Sequence, residues 1–189
     1  MGSSNSWERA TKLLGSALKM VVEGSRTVDT WADHLQIFVF GRVWELQFDK
    51  SAPALQPFNR DEFRYVESGL KSEHYPVRGH GIQSRRFKLV NLWEVFPEGH
   101  NPTTQELLDL ANKGMDETPD FVDTKAFHQA NPNEATDEHP IISLCGSVVG
   151  QGVSRRVACF DARSVGWRLY WRRLGGEWSR YCRLLVACK

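Results

Sequence analysis

The stretch Trp167-Arg-Leu-Tyr-Trp-Arg-Arg-Leu-Gly-Gly-Glu-Trp-Ser-Arg-Tyr-Cys-Arg-Leu-Leu-Val-Ala-Cys188 decides how this chain is read. Gly175-Gly176 separates two runs rich in aromatic, arginine and apolar residues, and a Gly-Gly pair in that setting signals a two-residue hairpin. With the turn placed there, Leu174 faces Glu177 and the register of the ladder follows. One face pairs Arg172 with Ser179, Tyr170 with Tyr181 and Arg168 with Arg183. The other pairs Trp171 with Arg180, Leu169 with Cys182 and Trp167 with Leu184, and is mostly apolar. The first face is the candidate binding surface: Arg168, Tyr170, Arg172, Tyr181 and Arg183. Two directly opposed arginines repel unless something negative lies between them. A phosphate, a ligand carboxylate or an acid of the same chain would each suit the planar guanidinium fork. The neighbouring tyrosines are of the type that stacks nucleic-acid bases.

Charge supports looking there and also supplies a rival. Residues 155–189 hold eight arginines and one lysine against Asp161 and Glu177, a local charge of +7 in a chain of formal charge +1. The preceding 154 residues are correspondingly acidic. From Gln105 to Glu138 there are nine acids against Lys113 and Lys125. An acidic segment and an arginine-rich sheet can neutralise each other within one fold or across a dimer, so a basic tail alone does not establish a ligand.

Working outward, a chain of 189 residues with 41% hydrophobic and 11% aromatic content can build one cored domain. Trp7, Ala10, Leu13, Leu14, Ala17, Leu18, Val21 and Val22 recur at helical spacing, which predicts an amphipathic N-terminal helix within residues 1–26. Residues 27–189 then read as a single domain, with a mixed part over 27–100 and a helix pair plus sheet over 101–189. Leu35–Phe40 and Val43–Phe48 read as strands. Asn59 opens a predicted helix through Leu70 that buries Phe63, Val66 and Leu70, and Arg85–Phe96 reads as a strand. Asn101-Pro102 is a helix opening, with Gly114 as its stop. A second helix starts near Pro119 and ends before Asn131-Pro132. After Pro140 only strands are expected, over Ile141–Val149, Val153–Ala162, Trp167–Arg173 and Trp178–Cys188, with turns at Gly150–Gly152, Ser164–Gly166 and Gly175-Gly176. The expected fold class is α+β, a C-terminal antiparallel meander packed against helices with a mixed N-terminal extension.

Chemical signatures are sparse. Cys145, Cys159, Cys182 and Cys188 form no Cys-x-x-Cys pair and fit core thiols in a reducing compartment. The histidines at 74, 80, 100, 128 and 139 show no ligand spacing, so no metal or other cofactor is expected. His139 and Cys145 are near enough in sequence to be considered as base and nucleophile, but no elbow motif surrounds the cysteine. Gly146–Gly152 is glycine-rich without matching a phosphate loop. No apolar run approaches membrane-spanning length, and the N-terminus lacks the pattern of a secretory signal, so the expectation is a cytoplasmic chain without a membrane partner.

Pro102-Thr-Thr-Gln-Glu-Leu-Leu108, Pro140-Ile-Ile-Ser-Leu-Cys-Gly-Ser147 and Trp178-Ser-Arg-Tyr-Cys-Arg-Leu-Leu-Val186 resemble, in order and type, a group of bacterial proteins without an assigned activity. The resemblance covers about the last half of the chain. It departs in the second helix, where Asp123-Thr-Lys-Ala-Phe127 replaces a Glu-Leu-Leu. It implies architecture only, with Glu106, Trp178 and Arg183 in a shared structural pattern. The expected function is a non-enzymatic binding module whose Arg/aromatic face meets an acidic partner, nucleic acid being the sharpest version. The alternatives are a module meeting an acidic protein surface or its own copies, and a hydrolase of unrecognised type using Asp, His or Cys145. The oligomeric state is left open.

Overall fold

In the computed structural model, which describes residues 42–55, 60–112 and 116–188, strands dominate. They are Val43–Asp49 (β1), Phe63–Val66 (β2), Ile82–Asn91 (β3), Asp116–Glu117 (β4), Ile141–Ser143 (β5), Val148–Val149 (β6), Arg156–Arg163 (β7), Gly166–Arg173 (β8) and Arg183–Cys188 (β9). They form one mixed sheet in the order β1-β3-β9-β5-β7-β8-β2, with β4 added to β9 and β6 to β7. The β9/β5 and β8/β2 pairs are parallel and the others antiparallel. The α-helices are Leu92–Val95 (α1), Thr104–Ala111 (α2) and Phe121–Ala130 (α3). The architecture is a sheet-rich α+β unit spanning Val43–Lys189. The expected helix within residues 1–26 and the strand at Leu35–Phe40 lie outside the described residues.

Helix starts follow local chemistry. Thr103 caps α2: Glu106 N donates to its Oγ1 (3.2 Å), and Thr103 N donates back to the Glu106 carboxylate (2.8 Å). The cap is thus Thr103 and not the expected Asn101. Asp120 caps α3 in the same reciprocal way with Asp123. Strand alternation then sorts the core into two faces. Phe87, Ile141, Phe160, Leu169 and Leu185 face Phe121 and Phe127 of α3. Ile142, Val157, Cys159, Leu184 and Val186 face Leu107 and Ala111 of α2, together with Trp178. The sheet is therefore covered on both sides, by α3 on one and by α2 with the loop after β8 on the other.

Three expectations are corrected. The Gly175-Gly176 hairpin does not form, and β9 lies between β3 and β5, not beside β8. Neither glycine takes the positive φ that tight hairpin turns of types I′ and II′ require. The chain after β8 is instead captured by the start of α2. Thr104 N donates to Gly176 O (2.9 Å), Gln105 N to Leu174 O (2.9 Å) and Trp178 N to Pro102 O (2.8 Å). The Trp178 indole, 5% exposed, donates to Thr104 Oγ1 (2.9 Å). Consequently Arg168 does not oppose Arg183: it faces Asp161 on β7 and Tyr65 on β2, while Arg183 faces Ile141 and Asn91.

Second, residues 60–70 are not a helix, Asn59 lying outside the described residues. A single 3-10 turn at Arg60–Glu62 leads into strand β2. Phe63 and Leu70 are buried as expected, but the Phe-Arg-Tyr-Val run suits a pleated edge better than a helix. Third, Ile141–Val149 is broken over residues 144–147, which include Gly146, where a Cβ would collide with Ala158 and with the His74 carbonyl. Arg85–Phe96 likewise ends as a strand at Asn91 and turns into α1.

Candidate anion-binding groove

The site is built where β7 turns into β8. Arg163 pairs with Gly166 across a two-residue turn of Ser164-Val165, and Gly166 adopts φ +120°, a value costly for a residue with a Cβ. Tight turning here brings Arg163 and Arg168 to one end of the sheet. The outer neighbour of β8 is β2, which runs parallel to it with an irregularity. Phe63 pairs with Trp167 and Tyr65 with the next residue, Arg168, so Arg64 is the extra residue of a bulge. A bulge re-aims a side chain at a sheet edge. The product is an open groove of about 540 Å³ lined by Arg64, Tyr65, Asp137, Arg163, Val165 and Arg168.

Its electrostatics are lopsided. Arg163 Nε and Nη2 each lie 3.4 Å from Asp161 Oδ2, which also accepts from the Tyr170 hydroxyl (3.4 Å). Asp161 is 2% exposed, and its Oδ1 has no hydrogen-bond partner among the described residues. Burial, reinforced by the Asp161 charge, pushes the Tyr170 phenol well above its ordinary range, so it remains a neutral donor. The Arg168 guanidinium carbon sits 5.7 Å from the Tyr65 ring centroid and 5.9 Å from that of Tyr170. Arg64 and Arg168 meet no carboxylate among the described residues. Tyr65, 46% exposed, offers the rest of its ring to whatever enters.

The five residues named from the sequence do not stay together. Arg168 lines the groove and Tyr170 lies behind it, holding Asp161. Arg172 stacks over Trp178 (4.8 Å) and donates to the Glu177 carbonyl. Arg183 is paired with Glu134 (3.6 Å) and donates to the carbonyls of Glu134 and, at 3.3 Å, His139. Burial pulls the Arg183 guanidinium below its ordinary range, and the Glu134 charge opposes that. Arg183 therefore meets an acid of the 105–138 segment. Tyr181 is exposed on the loop before β9, where its carbonyl lies 3.3 Å from His139 Nδ1. Arg64, Tyr65 and Arg163 were missed. The turn at Ser164–Gly166 pointed to Arg163, whereas reading 59–70 as a helix hid Arg64 and Tyr65.

Nucleophilic chemistry has a poor footing. Cys145 is buried, and burial pushes its thiol up to about 12 despite hydrogen bonding with Thr124 and Ser143. His139 packs against Trp93 (4.8 Å). His128, 2% exposed, stacks on Phe160. No group of three or more metal-ligating side chains occurs among the described residues, and no helix there is long and apolar enough to cross a membrane. No protein-family model, no curated protein and no solved structure matches the chain.

Proposed function

We propose that the protein is a non-enzymatic binding module for an acidic partner, and that single-stranded nucleic acid held in the Arg64/Tyr65/Arg163/Arg168 groove is that partner. The observation that carries the reading is a pair of arginines that form no ion pair among the described residues, Arg64 and Arg168, converging with Arg163 on one groove beside a half-exposed tyrosine. Several basic residues elsewhere are neutralised at home, whereas Arg155, Arg156, Arg172, Arg173 and Arg180, like Arg64 and Arg168, form no ion pair among the described residues. Lys50, Arg85 and Arg78 share Asp120, Asp123 and Glu117, Lys88 holds Asp116, and Arg183 holds Glu134. Arginine suits phosphate by its planar fork, and a tyrosine beside it stacks any base without demanding a sequence, at about 1–3 kcal/mol per base.

Binding of a fluorescent single strand, followed by anisotropy across salt, tests this. Three arginine–phosphate contacts predict a log–log salt slope of about −2. Arg64→Glu/Arg168→Glu abolishes binding while leaving the circular-dichroism spectrum unchanged, since Arg64 is exposed and Arg168 makes no ion pair among the described residues. Absence of binding to any oligonucleotide at low salt removes the proposal.

A further inference from the structure

We infer that the groove recognises a phosphomonoester beside an aromatic ring, that is, a phosphorylated strand end or a mononucleotide, rather than the interior of a strand. This rests on the nucleic-acid reading above and narrows it. Arg64 and Arg168 bring two guanidinium charges to the lining outside any ion pair among the described residues, Arg163 being paired with buried Asp161 and Asp137 sharing the lining. An internal phosphodiester carries one negative charge, whereas a terminal phosphate carries about −1.5 to −2 near neutral pH, which is the better match. The groove's volume, about 540 Å³, falls in the range of small-ligand sites. It fits one nucleotide with its phosphate among the arginines and its base on Tyr65.

On the α3-facing side of the sheet, a second hollow at the same turn is lined by Glu62, Gln129, Gly166 and Trp167, with a carboxylate and no cation. Its Glu62 is already held by Lys125 (2.5 Å). The arginines therefore serve one face of this turn. Asp161 supports the groove from behind. It holds Arg163 by two 3.4 Å contacts and thereby fixes one prong of the clamp before a ligand arrives.

The experiment uses the full chain and one short single strand in three forms: 5′-phosphorylated, 3′-phosphorylated and hydroxyl at both ends. One phosphorylated form is expected to bind about tenfold tighter than the hydroxyl form, the scale of one hydrogen bond to a charged group. That preference disappears in Arg64→Gln and in Arg168→Gln. It also shrinks below about pH 6, where the phosphate takes up its second proton. Competition by a nucleoside monophosphate as strong as by the phosphorylated strand assigns the groove to the free nucleotide; weak competition assigns it to the strand end; both support the phosphomonoester. Equal binding of all three forms, with steep salt dependence and loss in the arginine variants, overturns this inference and leaves the broader proposal standing. No oligonucleotide binding overturns the broader proposal, no binding of oligonucleotide or nucleoside monophosphate overturns both, and tighter binding of a phosphotyrosine peptide than of any nucleotide overturns the nucleotide assignment.

Discussion

Replacing His128 with phenylalanine isolates a single buried titration. His128 lies in α3 at 2% exposure, its ring parallel to Phe160 (8° between planes, 5.1 Å between centroids) and 6.1 Å from Trp167. Its Nε2 has no hydrogen-bond partner among the described residues. Burial, with a smaller contribution from the Arg183 charge, pushes its pKa down to about 3. In the unfolded chain the same ring titrates near 6.5. The unfolded state therefore binds a proton that the folded state refuses, so stability is complete above about pH 6.5 and falls as pH drops toward 3, by about 1.4 kcal/mol per unit. Between pH 7.5 and pH 4.5 the accumulated loss is about 3 kcal/mol. His128→Phe keeps an aromatic ring against Phe160 and deletes the titration. Any overpacking, about 1–3 kcal/mol, is independent of pH. Urea unfolding of both chains at the two pH values gives a double difference in which carboxylate titrations common to both cancel. The wild-type chain should lose about 3 kcal/mol more than the variant on acidification. A double difference below about 1 kcal/mol would refute the reasoning, because it would mean that His128 is protonated in the folded state.

Three further outcomes test the packing. Lys50→Met removes the ammonium lying 2.6 Å from Asp120 and 2.7 Å from Asp123, all three groups being buried. It should cost about 3–5 kcal/mol through stranded carboxylates, seen as a lower urea midpoint; an unchanged midpoint would contradict the pairing. Trp178→Phe keeps a ring over Arg172 but loses the indole hydrogen bond to Thr104, and thermal unfolding should register about 1 kcal/mol. With Ellman's reagent at pH 8, half-buried Cys188 should label first. Cys145, held up at about 12, Cys182, at about 11, and Cys159, also raised by burial, should react only as fast as the protein opens, so prompt labelling of two or more thiols would contradict their burial.

How far the sequence reached depended on the range of the interactions involved. Local chemistry was readable. The alternation in Val43–Phe48 gives a strand with Trp44, Leu46 and Phe48 on the core side, and α3 ends before Asn131. The Trp167, Leu169, Trp171 face of β8 is core, as alternation demands. What failed was partner choice. Gly175-Gly176 supplied a hairpin signal, but Trp178 has a better use in the α2-side core than on a strand beside β8. Its burial and the three backbone hydrogen bonds from residues 102–105 outweigh a turn preference. Likewise Phe63, Val66 and Leu70 at spacings of three and four are compatible with a helix, and only the parallel partner β8 makes Phe63–Val66 a strand. Pairings between segments about a hundred residues apart leave no mark at either end that periodicity can detect.

The arginines show why composition misleads about function while position does not. A local charge of +7 suggests a broad basic surface, yet Arg183 is consumed by Glu134 and Arg172 by Trp178 and a carbonyl. Both serve the fold, because each is half-buried and its removal would strand a partner. Arg64 lies outside the basic tail altogether, in a part of the chain with no charge excess of its own, and reaches the site only because β2 runs beside β8 with one residue too many. The charge of the proposed groove is thus assembled by topology from two distant segments. Asp161, one of the tail's two acids, which a charge count would subtract, instead orients Arg163 toward the groove's rim. On the proposed reading an arginine is available to a ligand when the fold leaves it outside any ion pair, and among the described residues Arg64 and Arg168 meet that condition in one groove.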